Sequence, residues 1–327
     1  MTDVRWGIVG PGRIADKVAG DFVHVPHAKL VAVASRSLER AEAFAKQHGI
    51  PRAHGSYQAI LADPDVDVLY VATPHPQHHA FAKAALKAHK ALLIEKAFAA
   101  TVAGAQELID LARASRTFVM EAMWTRFQPA VVKVRELIAS GAIGELRGLQ
   151  ADLGIVAPTD PEGRFYNLQL GGGAMLDLGV YLISLSQMLF GTHSELSVQG
   201  SRSQSGVDVE SALILGYPGG VRATLTTSLV TPLPAQARVF GSEGFIDILP
   251  RFHHPKDLVV HRKGKPPEPM TLPALGGGYA HELIEVTECL RAGKTESAVM
   301  PLADTLAVQR VMNEACERLG VVHAEAP

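Results

Sequence analysis

A glycine-rich turn near the amino terminus has the residue types and spacing that hold a dinucleotide. Gly10, Gly12 and Ala15 fit the pattern G-x-G-x-x-G/A, between an apolar run and a helical pattern. The first glycine permits a tight turn, the second lets the backbone approach a pyrophosphate, and the small third residue lets helix and strand pack closely. Arg13 and Ile14 open the helix, whose free N–H groups attract phosphate. A plain tight turn needs the same glycines, but the strand–turn–helix context favours a dinucleotide site.

The end of the next predicted strand indicates which dinucleotide is bound. An NAD enzyme usually places a carboxylate there for the ribose hydroxyls. Here the strand ends in Ser35, Arg36 and Ser37, and the first carboxylate, Glu39, falls inside the following helix. Arg36 could pair with a 2′-phosphate, and the two serine hydroxyls could donate hydrogen bonds to it. The alternative is a surface arginine at a helix start. NADP is therefore favoured, and NAD stays possible.

Two further segments offer groups for proton transfer. Lys96 follows the carboxyl end of a predicted parallel strand, the edge where doubly wound folds bind ligands. Asp177 and Tyr181 are four residues apart in a helical pattern that three glycines open, so both are expected on one face. A tyrosine has a pKa of about 10, and a nearby lysine cation would lower it. Tyr181 with Lys96 could then move a hydroxyl proton, with Asp177 orienting substrate or lysine. A half-buried tyrosine and a surface lysine are the ordinary alternatives.

The elements that must position these residues follow two different patterns. Up to about residue 120, short apolar runs alternate with amphipathic segments, which indicates a doubly wound parallel sheet. The predicted strands are 5–9, 30–34, 66–72, 91–94 and 117–120, and the predicted helices are 13–22, 38–48, 77–88 and 102–114.

After about residue 145 the apolar residues alternate with polar ones, at 149–155 and again at 221–229. A Gly-Pro-Gly-rich turn at 216–220 precedes the second run, so an open, mainly antiparallel sheet is expected. The chain is thus predicted to be α/β plus α+β. Residues 1–122 form a Rossmann domain, and residues 123–327 form a domain for substrate binding and oligomerisation.

Composition sets limits on the function. The 327 residues are 47% hydrophobic and 20% charged, with a formal net charge of −2, so nothing general attracts nucleic acid or an anionic membrane. We identify no signal peptide and no apolar run near the roughly 20 residues of a membrane span, and expect a cytoplasmic protein. Cys289 and Cys316 are interpreted as reduced core residues. Fourteen histidines occur without a metal-binding motif, so no metal is expected.

Four stretches together resemble the glucose–fructose oxidoreductase, inositol dehydrogenase and rhizopine catabolism (Gfo/Idh/MocA) family of oxidoreductases. They are residues 7–15, 72–78, 95–96 and 172–181. The segments 121–127 and 289–297, and Tyr181 where many members carry histidine, are most similar to the branch of dimeric dihydrodiol dehydrogenases and NADP-dependent D-xylose dehydrogenases. The similarity spans nearly the whole chain.

The resemblance implies that Lys96 and Tyr181 are the catalytic pair. It also implies a cofactor cleft lined by Thr73, Pro74, His78 and Glu95, a substrate pocket with Trp124 and Arg126, and a dimer or higher homo-oligomer. Phe165 and Asn167, just before the glycine run, are expected to cover the cleft. Ala97 stands where the family usually has proline, which leaves the backbone at Lys96 open.

The leading hypothesis is an enzyme that moves hydride between NADP and a vicinal diol, a cyclic polyol or an aldose. Its partners would be small molecules, and neither nucleic acid nor membrane. A dinucleotide-binding sensor without turnover is the alternative from another class, and a related enzyme acting on an amino sugar or imine is a third.

Overall fold

A computed structural model describes residues 3–326 and divides them into two compact units. The first unit holds the chain up to Met123, then Leu275–Thr305 and the end of the chain from Glu325. The second unit holds Trp124–Ala274 and Leu306–Ala324. The sequence placed the change of domain at 122/123 and assigned everything after it to the second domain. In the structure the later chain returns to the first unit.

The first unit is built on a six-stranded parallel sheet. Its strands are β1 (Val4–Val9), β2 (Ala28–Ala34), β3 (Arg52–His54), β4 (Val68–Val71), β5 (Ala91–Glu95) and β6 (Val119–Ala122). The order across the sheet is β3-β2-β1-β4-β5-β6, and every pairing is parallel. Every residue of β4 and β5 is buried, as expected for central strands covered on both faces. The doubly wound fold predicted from the sequence is confirmed.

Helices connect these strands. They are α1 (Arg13–Asp21), α2 (Leu38–His48), α3 (Tyr57–Leu61), α4 (His75–Lys87) and α5 (Val102–Ser115). Helix α2 has the predicted bounds because its ends carry strong local signals. Ser37 accepts a hydrogen bond from the Arg40 N–H, and Gly49 closes the helix at a φ of 67°. The sequence did not predict β3 and α3, which are only three and five residues long.

Helix α8 (Ala280–Arg291) explains why the chain returns to the first unit. It buries Leu283 and Val286 and packs against β1, where Trp6 Nε1 donates to Thr287 Oγ1 at 3.2 Å. Just before α8, the carboxylate of Asp21 accepts backbone N–H groups of residues 277, 279 and 280 at 2.7–3.1 Å. Residues far away in the sequence therefore pack against the parallel sheet of the first unit.

The second unit is built on an eight-stranded sheet. Its strands are β7 (Leu146–Gly154), β8 (Glu195–Arg202), β9 (Asp208–Gly216), β10 (Arg222–Ser228), β11 (Ala237–Gly241), β12 (Gly244–Ile248), β13 (Asp257–Arg262) and β14 (Glu268–Thr271). The order is β14-β13-β12-β11-β7-β10-β9-β8. The pairings are antiparallel except between β7 and β10. The mainly antiparallel sheet is confirmed, and the hairpin between β9 and β10 turns at the predicted glycines, with φ of 78° and 79° at Gly219 and Gly220.

The second unit also holds α-helices. They are α6 (Pro129–Ala139), α7 (Val180–Phe190) and most of α9 (Leu302–Arg318). A π-helical turn, Met175–Gly179, leads into α7, which packs against β7 and β10. The helical stretch Leu168–Phe190 is long and apolar enough to cross a membrane, although no such run was expected from the sequence. However, 78% of its most apolar part is buried inside the protein, as in a core helix.

Candidate active site

The glycine turn lies at the carboxyl end of β1 and adopts the backbone that its sequence predicts. Gly10 has a φ of +85°, and a Cβ there would lie 2.9 Å from the Ala72 carbonyl oxygen. Gly12 is the N-cap of α1 and provides no side chain that would occupy the helix end. Ala15 is fully buried. The first N–H groups of α1 are thus left to bind an anion.

This turn forms one wall of a cleft with a volume of ≈ 570 Å³ in the first unit. Six predicted cofactor residues line the cleft: Gly10, Gly12, Ser35, Arg36, Thr73 and Pro74. The other lining residues are Pro11, Ser37, Arg40, Tyr57, Ala72 and Gln77. Arg13 and Ile14 lie in the first turn of α1 and do not line it. The lining residues include two arginines and no carboxylate, so the cleft suits a polyanion.

The end of β2 presents donors to this cleft. Ser35 Oγ accepts the Ser37 N–H, and Ser37 Oγ accepts the Arg40 N–H, so both hydroxyl hydrogens can still point outward as donors. Arg36 and Arg40 are exposed. Burial raises the pKa of Tyr57, and the charges of the two arginines oppose that rise. Tyr57 lines the same cleft as both arginines.

Lys96 follows β5 and is half-buried, and the bond between Lys96 and Ala97 is cis. Glu95 is buried and accepts a hydrogen bond from the Tyr70 hydroxyl. His78 Nδ1 lies 3.0 Å from the Ala97 carbonyl oxygen.

His78 connects this segment to the cleft. Its Nε2 lies 2.7 Å from the Thr73 carbonyl oxygen, so the ring bridges the main chain after β4 and the main chain after β5. The ring is fully buried, and that burial lowers the pKa of His78 to about 4. Position 78 lies on the buried face of α4, so His78 supports the cleft from behind instead of lining it.

The second unit brings Tyr181 and Trp124 together. Trp124 Nε1 donates to Tyr181 Oη at 3.3 Å, and Tyr181 is buried. The ring centroids of His253 and Tyr181 are 5.1 Å apart, and those of His254 and Trp124 are 4.9 Å apart. We call Trp124, Tyr181, His253 and His254 the tyrosine cluster. It sets an ionisable hydroxyl into an aromatic wall.

Comparison with known proteins identifies the family to which the chain belongs. Residues 4–123 match the model of the Gfo/Idh/MocA oxidoreductase family, NAD-binding Rossmann fold, and residues 131–247 match the Gfo/Idh/MocA C-terminal domain. The chain belongs to the Gfo/Idh/MocA family. The resemblance inferred from the sequence is confirmed, and the protein is a nicotinamide-dependent oxidoreductase.

Relatives and solved structures extend this match over the whole chain. Trans-1,2-dihydrobenzene-1,2-diol dehydrogenase of Mus musculus is 39% identical over 332 residues, covering 97% of each chain. An aldose–aldose oxidoreductase from Caulobacter crescentus, complexed with glycerol, has a TM-score of 0.88 and 27% identity, covering 97% of each chain. A 3-ketoreductase from Actinomadura kijaniata in complex with NADP has a TM-score of 0.86 and 25% identity, covering 100% of each chain.

In this Gfo/Idh/MocA member, Asp177 has a partner that the sequence did not predict. Arg164 Nη2 donates to Asp177 Oδ1 at 2.5 Å, and the Arg164 guanidinium lies over the Phe165 ring. Asn167 Oδ1 accepts the Gln169 N–H. The loop of Phe165 and Asn167 is thus joined to the segment that leads to Tyr181, and its predicted role as a cover stays a prediction.

Arg126, predicted for the substrate pocket, is 2% exposed. Its Nη2 donates to Gln187 Oε1 at 2.6 Å, and its Nε donates to Ser184 Oγ at 3.2 Å. Both acceptors lie on α7, one and two turns beyond Tyr181. The guanidinium therefore anchors that helix, because a buried cation needs such acceptors.

The sequence reading set aside His253 and His254 as residues of a proline-containing loop. Thr125 Oγ1 donates to the His253 carbonyl at 2.6 Å and fixes this loop beside Trp124. No local spacing relates residue 253 to residue 181. Only the pairing of the strands around the loop brings them together, so no signal in the single sequence could have found them.

Proposed function

We propose that the protein is an NADP-dependent dehydrogenase that oxidises a hydroxyl of a vicinal diol, a cyclic polyol or an aldose. The observation that carries the cofactor choice is the lining of the cleft: Arg36 and Arg40 stand beside Ser35 and Ser37, and no carboxylate is among the lining residues. A 2′-phosphate would gain charge-assisted hydrogen bonds there, whereas two bare ribose hydroxyls would lack an anionic acceptor. The names of the relatives support a diol or sugar as substrate.

The residues present fit this cofactor. The Gly10 position has no room for a Cβ, and Gly12 leaves the end of α1 open, so the pyrophosphate would lie on N–H groups of the turn. Ser35, Arg36, Ser37 and Arg40 would hold the 2′-phosphate, and Thr73 and Pro74 would border the path toward the nicotinamide.

The chemistry assigned to the chain is proton transfer. A bound nicotinamide would supply the hydride acceptor for the carbinol carbon. Tyr181 Oη takes the hydroxyl proton as that carbon becomes a carbonyl, and Lys96 stabilises the phenolate and orients the reacting oxygen. Trp124 donates to the same Tyr181 oxygen and fixes its position. Asp177, held by Arg164, would orient the substrate.

The cofactor proposal is tested by measuring the dissociation constants of NADPH and NADH for the wild type, Arg36→Ala and Arg40→Ala. Losing one charged hydrogen bond to phosphate is expected to weaken NADPH about ten- to a hundred-fold, with NADH nearly unchanged. Arg135→Ala, at an exposed arginine of α6, is the control. A wild type that prefers NADH would overturn the proposal.

The substrate proposal is tested by following NADPH absorbance with panels of dihydrodiols, cyclic polyols and aldoses. Turnover of at least one class is expected, and it falls by at least about a hundred-fold in Tyr181→Phe. Tight NADPH binding without turnover on the whole panel would instead favour a sensor.

We also propose that the protein forms a homodimer through the outer face of its eight-stranded sheet. That face carries Arg222 and Thr224, and it exposes 48% of Ile214, which pairs with Thr224 across the strands. A partner sheet would cover this face through a wet, polar contact. Light scattering is expected to give twice the chain mass for the wild type and a monomer for Ile214→Glu. A monomeric wild type at micromolar concentration would contradict the dimer.

A further inference from the structure

Three side chains with metal-binding atoms meet in the second unit, apart from every residue assigned above to cofactor or substrate. They are Asp208, Cys316 and His323, and a carboxylate oxygen, the thiol sulfur and an imidazole nitrogen all lie within 4.8 Å of one another. All three residues are buried, with at most 6% of any of them exposed. They come from the first residue of β9, the last turns of α9 and the chain beyond α9.

The hydrogen bonding of the cluster is incomplete. Asp208 Oδ2 accepts the Met175 N–H at 2.6 Å, but Oδ1 has no hydrogen-bond partner among the residues that the structure describes. Neither ring nitrogen of His323 has a partner within the same residues. Buried polar atoms are nearly always satisfied by protein, water or an ion. A carboxylate oxygen and both imidazole nitrogens without partners, beside a thiol, therefore indicate a ligand between these three side chains.

The donor set identifies the class of that ligand. Carboxylate oxygen, thiolate sulfur and imidazole nitrogen are together the ligands that Zn²⁺ takes in proteins. A Zn²⁺ ion would be neutralised by one carboxylate and one thiolate, while the imidazole adds no charge. The buried site would then carry no net charge, which removes most of the cost of placing a cation in the interior.

We propose that Asp208, Cys316 and His323 bind a divalent zinc ion, with water at the fourth position. On binding, the Cys316 thiol loses its proton to solvent and the sulfur forms the bond to the metal, so binding strengthens as the pH rises. No electron is transferred. The ion would link α9, through Cys316, and the chain beyond α9, through His323, to Asp208 at the start of β9.

Asp208 gives this site a structural consequence. Its carboxylate already holds the start of the π-helical turn through the Met175 N–H, in the segment that leads to Tyr181. A Cβ at Gly173 would lie 2.3 Å from Asp208 Oδ1, so only glycine permits this approach. Zinc would thus make the turn before the N-terminus of α7, the helix that carries Tyr181, more rigid, without contacting substrate.

The test is a titration of the reduced, metal-stripped protein with Co²⁺, whose bond to a thiolate gives a charge-transfer band in the near ultraviolet. One Co²⁺ per chain is expected, displaced by Zn²⁺. Cys316→Ser removes the sulfur with little change in size, and the band is expected to vanish with at least a hundred-fold loss of affinity, because even changes outside the ligand shell cost about ten- to a hundred-fold.

Cys289→Ser is the matched control, because Cys289 is the other buried cysteine and bonds to Glu285 outside the cluster. It should keep the full band. His323→Gln changes a ligand beyond the last helix and should weaken Co²⁺ binding even if Cys316→Ser does not fold. A wild type without the band, or a band that persists in Cys316→Ser, would overturn the zinc site. Far-ultraviolet circular dichroism and the melting temperature check that each variant is folded.

Discussion

The cofactor cleft of the first unit and the tyrosine cluster of the second are built in different ways. The cleft is formed mainly by main chain that follows three neighbouring parallel strands, namely Gly10 after β1, Ser35 after β2 and Thr73 after β4. The tyrosine cluster is formed by side chains from three separate elements. Trp124 lies at the start of the second unit, Tyr181 lies on α7, and His253 and His254 lie in a loop.

This difference separates two kinds of specificity. A cleft built of backbone N–H groups recognises phosphate in any dinucleotide, and only a few side chains at its rim can choose among cofactors. A cluster of side chains can change one residue at a time without disturbing the fold. In this protein, cofactor binding should therefore be sensitive to backbone conformation, and substrate handling to side-chain identity.

The largest expected effect removes the ionisable atom of the tyrosine cluster. Tyr181→Phe keeps the ring but loses the oxygen that accepts the Trp124 N–H. General acid–base catalysis contributes about 10²–10⁴-fold, so kcat should fall by at least about a hundred-fold. Calorimetry with NADPH should find the affinity unchanged, because the cleft is intact.

Lys96→Met is the companion change. It should slow turnover and move the alkaline rise of the oxidation rate to higher pH, because the proposed mechanism assigns to Lys96 the cation that stabilises the phenolate. Near-full activity in Tyr181→Phe on a genuine substrate would remove the tyrosine from the mechanism.

A second test concerns His78, the side chain that bridges the main chain behind the cleft. The unfolded chain binds a proton at a pKa near 6.5, but the folded protein does so only near 4. The unfolded state therefore holds more protons between these values, and stability falls as the pH drops through this window. From pH 7 to pH 5 this group should cost about 2 kcal/mol of unfolding free energy.

His78→Gln cannot titrate, so its unfolding free energy should fall less over the same range. Urea unfolding at pH 5, 6 and 7 measures the difference between the two proteins. Parallel curves for wild type and variant would show that the buried imidazole contributes nothing to the pH dependence.

A third test separates the two glycines of the turn. Gly10→Ala forces a side chain into a left-handed conformation and against the Ala72 carbonyl, so both NADPH affinity and melting temperature should fall, affinity by about ten-fold. A Cβ at Gly12 meets only the Gly10 carbonyl, at 3.9 Å. Gly12→Ala should therefore keep the melting temperature and lose affinity alone. Equal melting temperatures for the two variants would show that the turn relaxes around a side chain.

The smallest expected effect tests the aromatic wall. His253→Ala removes a ring beside Tyr181, and such a contact is worth about 0.5–1.5 kcal/mol, so kcat/KM should fall a few-fold to about ten-fold with NADPH binding unchanged. His261→Ala, at a half-buried histidine on β13, is the control. A changed dissociation constant of NADPH in His253→Ala would contradict the separation of the two regions.

Most of the fold followed from the sequence because its signals are local. Capping residues fixed α2 at its predicted bounds, and buried apolar runs fixed β4 and β5 to within two residues at their ends. The parallel pairing of β7 with β10 and the return of α8 to the first sheet were not predicted. Both depend on long-range packing, and amphipathic periodicity does not say which sheet a helix will cover.

The residues of the candidate site likewise differ in whether local sequence signals could identify them. The turn at Gly10 and the strand end at Arg36 are contiguous motifs, so the sequence found half of the residues that line the cleft. Tyr57 was missed because it follows a three-residue strand. Arg126 and the two loop histidines needed three-dimensional information, since their partners lie more than fifty residues away along the chain.

The return of α8 to the first unit has a consequence for recombination. The polypeptide passes from one unit to the other after residues 123, 274, 305 and 324. A chimera that exchanged only the first 123 residues would separate Asp21 from the three N–H groups that it accepts, and Trp6 from the Thr287 hydroxyl. Transplanting cofactor preference between relatives would require moving 275–305 as well. A recombined gene would therefore have to carry the codons of 1–123 and of 275–305 together to encode an intact first unit.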